Sequence, residues 1–233
     1  MSRKWKWLLA AGVLLAVMMG IAGYLSGGYE ASPDALTSME SSVQNGHARA
    51  FVPEDIRGGL IFYPGGLVDH RAYAPLMQAL ADRGILCLLV QMPLDLAVLD
   101  MNAADGLQAL YPQVKRWLIG GHSLGGAMAA SYVSSHTDEY EGLVLLGAYS
   151  TADLSRTNLS VLSVYGSQDG VLNREKYAEC LKHYPGRFEE IVIEGGNHAY
   201  FGGYGAQKGD GEAAISRKEQ IALTADAIAD RLK

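Results

Sequence analysis

Cysteine is nearly absent from this chain of 233 residues: Cys87 and Cys180 are the only two, too few for a disulfide framework. Cys87 lies in the apolar run 85–90 and reads as a buried thiol, Cys180 falls in a helical pattern, and both are expected to be free. A basic stripe is missing as well. The formal charge is -6, and the one positive cluster, Arg3, Lys4 and Lys6, sits ahead of an apolar run. That excludes the phosphate-neutralising surface a nucleic-acid partner requires. Charged residues still make up 19% and hydrophobic residues 49%, so neither disorder nor a polytopic membrane protein fits. There is no internal repeat, which removes solenoids and propellers. One α/β domain with an appendage suits the length.

The appendage is the N-terminus. Residues 8–25 carry no charge and follow Arg3, Lys4, Trp5, Lys6 and Trp7. The run is long enough to span a bilayer, and positive residues before it favour a cytoplasmic N-terminus, so everything after Leu25 is expected outside the cytoplasm. Membrane lipid is therefore an expected partner through residues 8–25. The competing reading is a cleaved signal peptide with a cut near Gly28, although no Ala-x-Ala site is present. A lipoprotein anchor is excluded because no cysteine follows the run. Residues 1–28 are thus read as anchor or signal peptide, 29–40 as a tether with a brief helix or turn near 35–41, and 41–233 as the catalytic domain.

Within that domain, Asn45-Gly46 between two short strand-like stretches has the form of a hairpin. Apolar runs follow at 60–63, 86–90, 117–119, 143–146, 161–165 and 191–193, rich in Val, Ile and Leu, with helix-like segments between most of them. This alternation predicts a doubly wound, mostly parallel sheet with helices on both faces. Tyr73, Leu76, Met77 and Leu80 recur at helical spacing, with Pro75 in the first turn and Gly84 at the stop. A last helix is expected over residues 217–232.

The chemistry centres on Gly121-His122-Ser123-Leu124-Gly125. With 28 glycines in the chain, this G-x-S-x-G pattern arises by chance in about one such sequence in five, so context must carry it. It follows the run 117–119 and opens the helical stretch 124–133, the strand, sharp turn and helix that expose a nucleophilic serine. A serine hydroxyl needs a base, and the base an orienting carboxylate. Asp169 and His198 each follow an apolar run, where a parallel sheet gathers its ligand loops. Asp153 is the alternative carboxylate. His122 reads as a packing residue, and His47, His70, His136 and His183 have no strand end before them. For the oxyanion, the backbone N–H groups of Leu124 and Gly66 are the candidates, with Leu67 next. Leu67, Tyr200 and Tyr204 are candidate substrate contacts, the two tyrosines on or beside a Gly-rich segment, 201–212, that could cover the site. Asp210 and Glu212 are a weaker candidate metal pair.

Together these residues resemble the α/β-hydrolase superfamily from about residue 58 onward. Phe62-Tyr63-Pro64-Gly65-Gly66, Met92-Pro93-Leu94-Asp95-Leu96-Ala97, residues 121–126 and Gly195-Gly196-Asn197-His198 look like a bacterial membrane-anchored subfamily related to dienelactone hydrolases. The resemblance implies an α/β-hydrolase fold, a Ser-His-Asp triad and cofactor-free hydrolysis of an ester or similar acyl bond in a small-molecule substrate. Dienelactone hydrolases carry cysteine where this chain has Ser123, so their lactone substrate is not carried over. Acyl transfer to an acceptor other than water, and a non-catalytic membrane-tethered binding module, are the rival readings. Only about a dozen residues separate the runs 143–146 and 161–165, which leaves no room for a cap domain.

Overall fold

The computed structural model describes residues 27–232. The apolar segment 8–25 lies outside them, and among the described residues no helix is long and apolar enough to cross a membrane. Eight strands form one sheet: β1 (Val43–Asn45), β2 (Ala48–Phe51), β3 (Gly58–Tyr63), β4 (Ile85–Val90), β5 (Trp117–His122), β6 (Gly142–Leu146), β7 (Ser160–Gly166) and β8 (Phe188–Ile193). Their order is β1-β2-β4-β3-β5-β6-β7-β8. The hairpin β1-β2 turns at Gly46, whose φ of 61° suits glycine, and β2 pairs antiparallel with β4. All other pairings are parallel. The doubly wound, mostly parallel sheet is thus as expected.

Strand side chains divide by the two-residue period. Leu60 and Phe62 enter the core on one face, and Ile61 and Tyr63 enter the core on the other. Each fully buried side chain of this size contributes about 1.5–3 kcal/mol relative to exposure. One face is covered by α2 (Ala74–Ala81) and α5 (Arg217–Ala229), preceded in the chain by α1 (Pro33–Met39). The other carries α3 (Leu124–Val133). A further helix, α4 (Arg174–Cys180), links β7 to β8. Helix α5 starts on a serine N-cap, the Ser216 hydroxyl accepting from the Glu219 N–H, and passes into a 3-10 turn, Asp230–Leu232. Cys87 and Cys180 are free and buried.

Two stretches differ from expectation. Residues 29–40 do not hang as a tether: Tyr29 bridges Val68, and α1 packs on α2 with Ala35 fully buried. Small Ala35 and a proline at the first turn let this short helix sit close. Residues 29–40 therefore belong to the folded body. Between β4 and β5, residues 91–116 form 3-10 turns rather than an α-helix. Leu94 and Asp95 both take positive φ there, at 51° and 55°, and Pro93 and Pro112 interrupt any longer helical run.

Order in the sheet reverses at β3, which has β4 on one side and β5 on the other. A crevice opens beyond the carboxyl ends of strands at such a point. No helix occupies residues 147–159 between β6 and β7, so nothing from that connection caps the crevice.

Candidate active site

Ser123 sits at the tight turn from β5 into α3, with φ 52° and ψ −122°. Such a conformation costs about 1–3 kcal/mol for a residue with a Cβ. The surrounding backbone enforces it: the Ser123 N–H donates to the Leu146 carbonyl at 2.9 Å, and α3 presses against the end of β3. A Cβ at Gly125 would lie 2.2 Å from the Pro64 carbonyl oxygen, and one at Gly121 would lie 2.5 Å from that of Tyr63. Only glycine at both flanks permits the turn.

The other expected residues meet at the same end of the sheet. His198 Nδ1 lies 2.8 Å from Asp169 Oδ2, with both side chains at most 1% exposed. The second oxygen of Asp169 accepts from the Val171 and Leu172 N–H groups at 2.9 and 2.8 Å. The carboxylate is therefore pinned with one oxygen turned to the histidine. Asp153, by contrast, is exposed and accepts from the Ser155 N–H within its own turn. Gly147 brings serine and pair together. It directly follows Leu146, and a Cβ there would meet His198 Nδ1 at 2.8 Å and Asp169 Oδ2 at 3.1 Å. The other ring nitrogen, His198 Nε2, is buried with no hydrogen-bond partner among the described residues.

His122 points away from solvent and touches the site by its ring, centred 4.4 Å from that of His198. Its Nδ1 lies 2.8 Å from the Tyr73 hydroxyl, which in turn accepts the Gly65 N–H at 3.0 Å. The Tyr73 hydroxyl thus links the Gly65 turn to His122, whose Nε2 is buried with no hydrogen-bond partner among the described residues. Burial, and secondarily the neighbouring His198, hold its pKa well below the usual histidine range.

The loop after β3 supplies backbone donors. Leu67 N–H is used on the Asp95 carbonyl at 2.8 Å, whereas neither Gly66 nor Leu124 N–H has a partner among the described residues. Gly66 faces the Leu124 side chain, where a Cβ would come within 2.9 Å. The two candidate donors are thus neighbours, and Leu67 drops out as an alternative. Leu67 instead lines a cavity of about 760 Å³ with Tyr29, Arg49, Asp69, His70 and Asp95. Tyr200 lines a second, of about 550 Å³, with Asn197, Gln207 and Arg217. Tyr204, expected at the substrate, is buried in the core, its ring tilted against that of Tyr29 at 5.5 Å and lying 6.4 Å from Tyr73 and 6.5 Å from His122.

Asp210 has a different role from the metal ligand considered for it. Its Oδ1 accepts from Gly170, His198 and Gly211 N–H at 2.9–3.1 Å, and its Oδ2 accepts from Ala199 N–H at 2.8 Å. One carboxylate thereby fastens the Gly-rich loop to the turns that carry Asp169 and His198. Nothing in sequence marks this beyond an acid in a glycine-rich stretch. From α5, buried Gln220 clamps the turn that carries His198, accepting from Asn197 N–H at 3.0 Å and donating to its carbonyl at 2.7 Å. Replacing Asp210 with alanine is expected to cost about 2–4 kcal/mol in urea unfolding, because four donors lose a charged acceptor. Glu212→Ala, with no such partners, is expected to stay within about 0.5 kcal/mol.

A doubly wound sheet with a strained serine between strand and helix, and a buried Asp-His pair beside it, defines a class of α/β protein. The family comparison agrees: the profile of the alpha/beta hydrolase family matches residues 59–222, and the chain belongs to that family. No curated protein sequence matches the chain. Among solved structures, the esterase domain of a Rhodothermus marinus protein is similar over 81% of this chain and 95% of its own, at 14% identity and TM-score 0.59. Est1E from Butyrivibrio proteoclasticus is similar over 82% of this chain and 97% of its own, at 13% identity and TM-score 0.59. Dienelactone hydrolase from Anabaena variabilis is similar over 80% and 94% respectively, at 15% identity and TM-score 0.58. At these identities the likeness establishes a shared fold.

Proposed function

We propose that the protein is a serine hydrolase of carboxylic esters, held at the outer face of a membrane by residues 8–25. The observation that carries the chemistry is the buried Asp169–His198 pair with Nε2 unpartnered, its imidazole centred 4.4 Å from the ring of His122, the residue before a serine held in a strained turn. Asp169 fixes the proton of His198 on Nδ1, which leaves Nε2 a lone pair with which to accept the Ser123 proton. Ser123 Oγ then attacks the carbonyl carbon, and the developing oxyanion is received by the N–H groups of Gly66 and Leu124, the latter at the positive end of α3. His198 returns its proton to the departing alcohol. It then activates a water that cleaves the acyl-enzyme, and the acid is released with Ser123 regenerated. The cycle draws on these side chains and water alone.

Covalent labelling by a fluorophosphonate probe, with a hydrolysis screen over acyl esters of graded length, tests this reading. Labelling of the folded protein that is lost on denaturation is expected. A folded protein that neither labels nor hydrolyses any ester would refute it. Extraction of membranes at alkaline pH tests the anchor, since a span through residues 8–25 stays with the lipid.

Tyr73 offers a finer test. Its hydroxyl ties the Gly65-Gly66 turn to His122 beside the nucleophile, so Tyr73→Phe frees the backbone that aims an oxyanion donor. A fall in kcat of roughly 10- to 100-fold is expected with KM changed less than about twofold, because the interaction matters most once the oxyanion forms. A change confined to KM would show that Tyr73 shapes binding instead.

A further inference from the structure

The point at which the chain enters the domain fixes which face of the domain a membrane would see. Tyr29 donates its N–H to the Leu67 carbonyl at 2.7 Å and accepts from the Asp69 N–H at 2.9 Å, immediately after the Gly65-Gly66 turn. Only Ser26, Gly27 and Gly28 separate it from Leu25, the last residue of the apolar run. Fully extended, that link reaches no more than about 14 Å. A domain of this size has a radius of roughly 20 Å, so the link cannot carry the opposite edge of the sheet round to the bilayer. With residues 8–25 in a membrane, the carboxyl-end face, which holds Ser123 and His198, is the one held against it.

That same face carries exposed apolar side chains where a soluble protein has no use for them. Leu94 is 62% exposed, Val98 57%, Leu99 55% and Met101 38%, all within the turns that follow β4. These turns are wired to the site. The Asp95 carbonyl accepts from Leu67 N–H, the Met101 carbonyl accepts from the buried Tyr63 hydroxyl, and Ala97–Leu99 packs on α3. A concentration of this kind marks a surface that meets another apolar phase. The charges around it are mostly acidic, Glu30, Asp69, Asp95 and Asp100; of the nearby cations, Arg71 is paired with Asp69 at 2.6 Å and Arg49 is turned onto Ser42 and the Met39 carbonyl. Attraction to anionic headgroups therefore does not hold this face; apolar contact does.

We infer that Leu94, Val98, Leu99 and Met101 seat the mouth of the site on the bilayer that holds residues 8–25, and that the substrate is the ester of a membrane amphiphile taken from that bilayer. The substrate half rests on the serine-hydrolase reading; the docking half does not. Hydrolysis then proceeds as above, with the acyl C–O bond of the lipid broken and its alcohol and acid released to the membrane.

The full chain reconstituted in phosphatidylcholine vesicles tests both halves. The variant Leu94→Asn/Val98→Ser/Leu99→Ser, with asparagine chosen for the positive φ at position 94, is compared with the parent on p-nitrophenyl acetate and on a long-chain umbelliferyl ester dissolved in the vesicles. Turnover of the soluble ester is expected within twofold and that of the bilayer ester down tenfold or more. A flexible twenty-residue insertion after Gly28 is expected to produce a smaller loss of the same selectivity. Equal loss on both substrates, or on neither, overturns the proposal. Docking is read separately on Ser123→Ala carrying Val98→Cys with an environment-sensitive label, since Cys87 and Cys180 are buried. Quenching by spin-labelled lipid, unchanged between low and high salt, supports it. An unquenched label, or one that responds to protein concentration instead of lipid, overturns it, the latter by making the patch an interface between copies. Quenching without turnover of either ester by the parent leaves docking standing and removes the hydrolase reading.

Discussion

Ser123→Ala is expected to lower kcat/KM for carboxylic esters by roughly 10⁴- to 10⁶-fold, the range seen when a nucleophile that acts as part of a unit is removed. The protein should fold normally, because the hydroxyl makes no hydrogen bond within the described residues and alanine keeps the same backbone geometry. Fluorophosphonate labelling should vanish with activity. The turn provides an internal check on this assignment. At φ 52° and ψ −122° a Cβ is a burden, so Ser123→Gly is expected to unfold at higher urea than Ser123→Ala, by about 1 kcal/mol. Glycine more stable yet equally inactive means that the serine is retained for chemistry at a cost to the fold. Substantial activity in either variant would remove Ser123 from the mechanism.

Asp169→Asn is expected to reduce kcat by roughly 10³- to 10⁴-fold near neutral pH, for a reason visible in the hydrogen bonding. One oxygen of Asp169 receives the Val171 and Leu172 N–H groups, so an amide replacing the carboxylate must place its oxygen there and turn its NH₂ toward His198. That makes Nδ1 an acceptor and moves the ring proton to Nε2, the nitrogen meant to take the serine proton. The isosteric change leaves packing intact, so circular dichroism and urea midpoint should move little beside the kinetic loss. Asp153→Asn serves as the control. Asp153 lies in an exposed turn away from His198, and kcat is expected within twofold of the parent. Comparable losses in the two variants would mean that neither is the orienting carboxylate.

Much of this site could be read without coordinates because its logic is local. Gly121 and Gly125 announce a turn too tight for side chains, and Asp169 and His198 each follow an apolar run that can be recognised as a strand. What could not be read are contacts between segments far apart in the chain. Tyr73 meets His122 across 49 residues, and Asp210 reaches back to Gly170 across 40. Neither spacing has a periodic signature. The surroundings of Tyr204 were hidden for the same reason: aromatic character suggests a pocket wall, but only the tertiary structure shows it packed against Tyr29 and Tyr73. Asp210, weighed as a metal ligand from its neighbour Glu212, has its lone pairs taken by four backbone donors.

Residues 29–40 show the same division. Small and polar residues read as a tether, yet a single bridge from Tyr29 to Val68 and the docking of α1 make them part of the body. By itself, the amino-acid sequence determined the main strands, the parallel sheet, the tight turn at Ser123 and the strand-end positions of Asp169 and His198, since each depends on side-chain period, strand-end position or backbone freedom within a few residues. Tertiary structure alone decided which oxygen of Asp169 faces His198, that Gly66 rather than Leu67 keeps a free N–H, and where the chain enters beside the site. Those outcomes depend on which groups from distant segments satisfy one another once the core has closed.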